Sequence, residues 1–367
     1  MNKIDKAQWA AKLRSIEASA HKEVRRLYVQ AIKEITELIA AAPKGAAQNF
    51  TIQSLPKATR DKVDTLVRKL AQNIEITIIR GTGVADALLQ ERFEDIQKSM
   101  YIAGNGAQVL TAAESAAWLR TESTAAATEA FVKRKVGGLG LSERVWQRTE
   151  LLKGNIEIAL HRGIEAGTSA AELSRQVREA LNQPKSLFRR VRQPDGTLAL
   201  STAAKNYHPG QGVYRSSYKN AIRMTGTEIN KAYREAFSQR IQSKQWITGK
   251  RIKLSNNHTC KDGKGGLIRG WSDECDALAG LYPKDFVWHG WHPQCRCEQV
   301  IEHIDPEQAI LDFKNGTNSA VQITEPHDGY QKWIDGQRAK AKEIGSEAFD
   351  KRMKRDSFLS ENGKYRK

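Results

Sequence analysis

The chain has 367 residues, with 59 lysines and arginines against 42 aspartates and glutamates, a formal charge of +17 and a pI near 9.7. That length can bury a sizeable core in two or three domains, and the charge favours polyanions, nucleic acid first and anionic lipid second. No run approaches the roughly eighteen apolar residues of a membrane-spanning helix, and the opening MNKIDKAQWA lacks the apolar core of a signal peptide, so no membrane partner is expected.

Apolar residues recur at Trp9, Leu13, Ile16, Ala20, Val24, Leu27, Ile32, Ile35 and Leu38 in helical steps, which predicts one long amphipathic helix over 5–41. Pro43 and Gly45 end it. A second helix starts near Ser54, with Pro56 suited to a first turn, and runs through Val63, Leu66, Val67, Leu70 and Ile74. The run from Ile74 to Ile79 is β-rich in composition, yet it prolongs the helical period and is read as helix. Gly81 to Gly83 is expected to break the chain before a helix over 84–102 with Leu88, Leu89, Phe93 and Ile96, and Gly104 to Gly106 to break it again. Residues 108–136 are alanine-rich and helical by propensity. The glycines Gly137, Gly138 and Gly140 mark the end of an N-terminal helical domain, 1–136.

Ser142 opens the next helix, with Val145, Trp146, Leu152, Ile156 and Leu160 facing inward. After Gly167, Ser169 and Glu172 have capping-box spacing, so Ala170 to Leu181 forms the second arm of a helical hairpin that Pro184 closes. Residues 184–226 are the most basic connection, with Lys185, Arg189, Arg190, Arg192, Lys205, Arg215, Lys219 and Arg223 against Asp195 alone. Pro194-Asp195-Gly196 is a turn signal that gives a hairpin or loop. Two readings stay open for its charge, contact with phosphates and an ordinary solvated face. From Tyr214 the series Tyr218, Ile222, Thr225, Ile229, Ala232, Tyr233, Phe237 and Ile241 predicts a helix of roughly thirty residues. Glu228 stands at the shoulder of that stripe, as a helix-surface or packing carboxylate in preference to a catalytic acid. Residues 141–245 thus read as a helical core with a basic insertion at 184–214.

The stretch from Trp246 to His303 concentrates the soft ligands. It holds all four cysteines (Cys260, Cys275, Cys295, Cys297), four of the eight histidines (His258, His289, His292, His303) and four of the eight tryptophans (Trp246, Trp271, Trp288, Trp291). Cys295 and Cys297 are two apart, so in an extended segment both thiols leave one face and can pinch a single ion. Cys260 and Cys275, from a preceding loop or hairpin, would complete a four-coordinate thiolate site; His292 can replace one of them, and structural zinc is the first expectation. The fourteen residues between Cys260 and Cys275 are not a standard zinc spacing. Buried free thiols, or two disulfides in an oxidising setting, therefore stay open beside the metal. WITGKRIKL from Trp246 and CRCEQVIE from Cys295 read as strands. Residues 246–304 should form a small sheet of two or three strands carrying the candidate ligands, with Trp246 and Trp288 in its core.

The ending HPQCRC at 292–297, preceded by Cys260, Cys275, Leu278, Gly280 and Pro283, resembles the signature of the phage Mu F-like minor head proteins, the phage head morphogenesis family. Residues 141–181 resemble that family's helical hairpin, and Ala221 to Phe237 its long helix leading into the cysteine region, so the likeness covers about residues 140 to 303. One departure is the segment KDGKGGLIRGWSDE between the first two cysteines, which the family usually keeps close together. The resemblance implies a minor capsid protein without enzymatic turnover, made in the host cytoplasm and placed inside the virion head near the portal. There it would act in head assembly and genome delivery. Its implied partners are the portal protein, phage DNA contacted without sequence preference, and the major capsid or scaffold protein.

Beyond His303, Pro306 to Phe313 reads as a short helix, Asn315 to Pro326 as loop and Tyr330 to Phe349 as an amphipathic helix, so 305–367 is a C-terminal helix with a basic tail. The tail from Lys351 holds seven basic and two acidic residues. Its Lys351, Arg352, Lys354 and Arg355 join Lys185, Arg189, Arg190, Arg192, Lys205 and Arg215 as candidate nucleic-acid contacts. The expected fold class is mainly α, with long helices and helical hairpins followed by a small α+β C-terminal region built on a short Cys/His-containing β-sheet. No catalytic residue is assigned. GKGG at Gly263 to Gly266 lacks the context of a phosphate-cradling loop, and no GxSxG element occurs. The alternative function is a metal-dependent nuclease in which His289 or His292 activates water, although acidic partners are not arranged around them in a recognised order.

Overall fold

In the computed structural model the described residues are 4–5, 8–42, 50–121, 125–160, 169–184, 190–192, 196–200, 205, 215–255, 274–292, 295–344 and 362–365. The chain is mainly helical, with a small antiparallel sheet near the C-terminus. Contacts divide it into two compact units, neither of them a continuous stretch. A sheet unit comprises Met1–Ser15, Thr82–Phe131 and Ile229–Lys367; a helical unit comprises Ile16–Gly81 and Val132–Glu228.

Helix α1 covers Gln8–Ala41, following the periodicity of its apolar residues. Helix α2 covers Lys57–Ala103 without interruption. The break expected at Gly81 to Gly83 does not occur. Each glycine costs roughly 1 kcal/mol relative to alanine in a helix interior, whereas Ile74, Ile78, Ala85, Leu88 and Leu89 on the same helix are all buried, and that burial outweighs the local cost. The β-rich run is helical as read, and Thr77 satisfies its hydroxyl by donating to the carbonyl of Asn73 at 2.8 Å. Helix α2 does end at Gly104, and a side chain there would collide with the backbone of Pro306, 2.3 Å from the position a Cβ would take.

The alanine-rich stretch is broken into α3 (Gly106–Val109), α4 (Ala112–Leu119) and α5 (Ala125–Lys133). Thr111 starts α4 with a full capping box, its side chain accepting from the Glu114 N–H while Glu114 reaches back to the Thr111 N–H. Propensity alone does not register such a stop and restart. Gly137 and Gly138, at φ +59° and +82°, then make a tight turn closed by a bridge between Val136 and Leu139.

In the helical unit, α6 (Leu141–Leu160) and α7 (Ala170–Asn182) form the expected hairpin, with Ser169 capping α7. Val145, Leu152, Ile156 and Leu160 pack with Leu173, Val177 and Leu181 into one core that includes Tyr28, Ile32, Val67 and Ile74. The turn signal is answered by a two-stranded ladder, β1 (Arg190–Arg192) against β2 (Leu198–Leu200). Helix α8 follows at Ser217–Gln242.

In the sheet unit, β3 (Ile247–Lys253) is the central strand, flanked by β4 (Gly280–Tyr282) and β5 (Glu298–His303), all antiparallel. The short helix α9 (Glu274–Leu278) leads into β4. Helix α10 (Pro306–Asn315) is capped by Asp305, with Pro306 in its first turn and Gly316 in the left-handed conformation after its end. Helix α11 (Asp328–Ile344) comes last, and the rest of the helix expected to Phe349 lies outside the described residues. The core here gathers Ile252, Leu278, Tyr282, Phe286, Trp288, Trp291, Tyr330 and Ile334 around the three cysteines Cys275, Cys295 and Cys297. Trp246 and Trp288 are buried as expected.

Candidate metal centre

Cys275 sits on α9, while His292, Cys295 and Cys297 lie on the loop that enters β5. The ligands therefore flank the three-stranded sheet and are not carried on its strands. The loop turns back through the Cys295 N–H donating to the His292 carbonyl at 3.1 Å. Cys275 Sγ lies 3.2 Å from His292 Nε2 and 3.9 Å from Cys295 Sγ. These three ligand atoms form a group that could hold a metal ion, all within 4.8 Å of one another. Cys297, two residues beyond Cys295, is buried in the same core beside that group.

All three described cysteines are free and buried, which removes the reading in which Cys275 is bridged to Cys295 or Cys297. Their electrostatics are those of thiols crowded together in a dry place. Cys295 is held well below the usual thiol range by hydrogen bonds from Cys275 and then Cys297, with the Arg234 guanidinium adding to the effect against burial. Cys275 is pushed far up, first by its bond to Cys295, then by Cys297 and burial. Cys297 is pushed up to about 12: its bond with Cys275 lowers it, but Cys295 and burial override that. A cation bound among these thiols would replace the protons they hold.

Cys260, the remaining candidate, lies outside the described residues. His289 is not part of the cluster. Its Nε2 pairs with Glu235 Oε2 at 2.5 Å, and its ring meets Phe131 edge-on. The hydrogen bond to His289 is the main cause of the lowered pKa of Glu235.

Two features here left no local signal in the sequence. Lys250, on β3, is wholly buried, and its ammonium donates to Ser238 Oγ (3.1 Å), the Lys284 carbonyl (3.4 Å) and the Phe286 carbonyl (2.5 Å). Arg234, on α8, is buried against the cysteine loop. Their partners are remote in sequence and appear only once the sheet unit is assembled.

Of the ten candidate nucleic-acid contacts, Lys185, Arg189, Lys351, Arg352, Lys354 and Arg355 lie outside the described residues. Arg190 and Arg192 are on β1, opposite Leu200 and Leu198. Lys205 is exposed. Arg215 stands just before α8, partly buried, with its carbonyl accepting from Asn155 Nδ2 at 3.0 Å. Among the described residues no helix is long and apolar enough to cross a membrane. No family model, curated protein or solved structure matches the chain.

Proposed function

We propose that Cys275, His292, Cys295 and Cys297 hold one structural zinc ion, and that the chain is a minor head protein of a phage. In this reading it sits inside the virion near the portal, after synthesis in the host cytoplasm, and acts in head assembly and genome delivery without turnover. The observation that carries the proposal is the buried Cys275–His292–Cys295 group, because its donors come from the same HPQCRC stretch that resembles the head morphogenesis family. Tetrahedral zinc, with Zn–S about 2.3 Å and Zn–N about 2.0 Å, separates its sulfurs by about 3.8 Å. The 3.9 Å between Cys275 and Cys295 fits that edge. Soft thiolates favour zinc over magnesium or calcium, and three thiols with one imidazole fill four positions, as structural sites do. Portal protein is the first partner, with major capsid or scaffold protein beside it, and the charge of +17 suits packaged DNA.

A metal-dependent nuclease is the second reading. The pair of His289 and Glu235 favours it, since a carboxylate that orients an imidazole is a common arrangement for a general base. Against it, His292 is engaged with the thiols.

Mass spectrometry of the native protein, combined with a pull-down on purified portal protein, tests the first reading. One zinc per chain and retention by portal are expected; an absence of both overturns it. Incubation with plasmid and Mg²⁺, Mn²⁺ or Zn²⁺ separates the second reading, because cleavage that disappears in His289→Ala would establish a nuclease.

A further inference from the structure

We infer that Arg234 is the counter-ion and positioning residue of the metal centre, an inference that rests on the zinc reading above. Arg234 is 5 % exposed. Its Nη1 donates to the carbonyl of His289 at 2.9 Å, and its Nη2 donates to the carbonyls of Cys295 at 2.7 Å and Cys297 at 3.1 Å. All three acceptors belong to the loop that carries His292, Cys295 and Cys297. The guanidinium also lies over the Trp288 ring, 4.3 Å from its centroid.

Two physical arguments converge on this role. The first is charge. Among the described residues no carboxylate pairs with Arg234, and a buried cation without a counter-charge is costly. A divalent ion with three thiolates and a neutral imidazole carries one net negative charge, and the arginine cancels it inside the same dry core. The second is shape. The planar fork reaches three carbonyls in fixed directions, which an ammonium cannot do. The loop is built around that fork: Gly290 has φ +104°, and a Cβ there would lie 2.4 Å from Arg234 Nη1 and 3.1 Å from Cys295 Cβ. Arg234 thereby sets the path of the chain between His289 and Cys297, and with it the directions from which two sulfurs meet the ion.

The test measures metal affinity by chelator competition, and the Co²⁺-substituted absorption spectrum, for the wild type, Arg234→Gln and Arg234→Lys. Arg234→Gln is expected to bind zinc about 10- to 100-fold more weakly, the range for lost outer partners of metal ligands, and to show an altered Co²⁺ spectrum. Arg234→Lys, which keeps the charge and loses the fork, should recover part of that loss. A folded Arg234→Gln with wild-type affinity and spectrum overturns the inference, and so does an Arg234→Lys no better than Arg234→Gln. Should Arg234→Gln not fold, Arg234→Lys decides alone: reduced affinity supports the role and unchanged affinity overturns it. A wild-type chain that binds no zinc or Co²⁺ would instead remove the zinc reading itself, a separate result.

Discussion

Arg92 closes on Asp5 through two hydrogen bonds, Nε to Oδ1 at 2.9 Å and Nη2 to Oδ2 at 2.5 Å, with side chains only 6 % and 1 % exposed. The same guanidinium donates to Tyr233 Oη at 3.0 Å and to the Gln299 carbonyl at 2.6 Å. One ion pair therefore ties Asp5 to α2, α8 and β5 within the sheet unit. Burial would lower the pKa of the arginine, but the Asp5 carboxylate overrides it and holds it raised. Removing one partner of such a pair costs about 3–5 kcal/mol, because the other charge is left uncompensated. Asp5→Asn should lower the urea midpoint by a corresponding amount. The double variant Asp5→Leu with Arg92→Met should recover much of the loss, and a midpoint for Asp5→Asn equal to the wild type contradicts the claim.

Glu228 makes the matching arrangement in the helical unit. Arg134 Nη2 and Arg144 Nη1 each reach its carboxylate at 2.7 Å, and the glutamate side chain is 7 % exposed. Burial alone would raise its pKa, but the two guanidiniums outweigh this and bring it below 4.5. A depressed folded-state pKa contributes stability that is present above the unfolded value and lost as pH falls through the folded one. Wild-type stability should therefore decline below about pH 4.5, while Glu228→Gln starts lower at pH 7 and declines less steeply through the same range. Urea titrations at pH 7, 5 and 3.5 would show it, and parallel curves for the two proteins would disprove it.

Lys250 gives a slope of the same sign in a higher pH window. Burial pulls its pKa from 10.5 down to about 7, against the nearby carboxylates of Glu235 and Asp285. Between those values the unfolded chain binds the proton and the folded chain has released it, so stability rises with pH from about 7 towards 10.5. Lys250→Met should remove that rise. Equal slopes in both proteins between pH 7 and 9.5 would show that the ammonium keeps its proton, held by Ser238, Lys284 and Phe286.

The sequence made the helices legible wherever one apolar stripe ran unbroken, as in α1, α6 and α8, because burial of that stripe decides the local structure. It failed where two local rules competed with packing. Gly81 and Gly83 signalled a stop, yet the flanking residues of α2 are buried too deeply for the helix to end there. The restart at α4 was readable in principle from Thr111 and Glu114, whose spacing is that of a capping box, but alanine content masked it. Within the centre, the donor types were visible because cysteine and histidine chemistry is carried by residue identity. Which elements would bring them together was not, and neither were Arg234, Lys250 or the partners of Glu228. Arg234 meets carbonyls 55 to 63 residues away, and a carbonyl has no signature in sequence.

Metal removal is the last expectation, and it discriminates among the cysteines. Three donors, Cys275, His292 and Cys295, already lie together, with Cys297 buried in the same core, so Cys260→Ser should retain one zinc per chain while Cys275→Ser and Cys295→Ser lose it. Structural zinc in small modules contributes on the order of 10 kcal/mol to folding. Chelation should therefore loosen the cysteine loop and α9, whose apolar support is shared with the thiols, far more than the helical unit with its own core of Val145, Leu152, Val177 and Ile32. Hydrogen exchange read by mass spectrometry, before and after chelation, resolves the two: protection should fall across 275–297 and persist in α6 and α7. Uniform loss in both units, or zinc that leaves only when Cys260 is replaced, would mean that the ion is held by a different set of ligands.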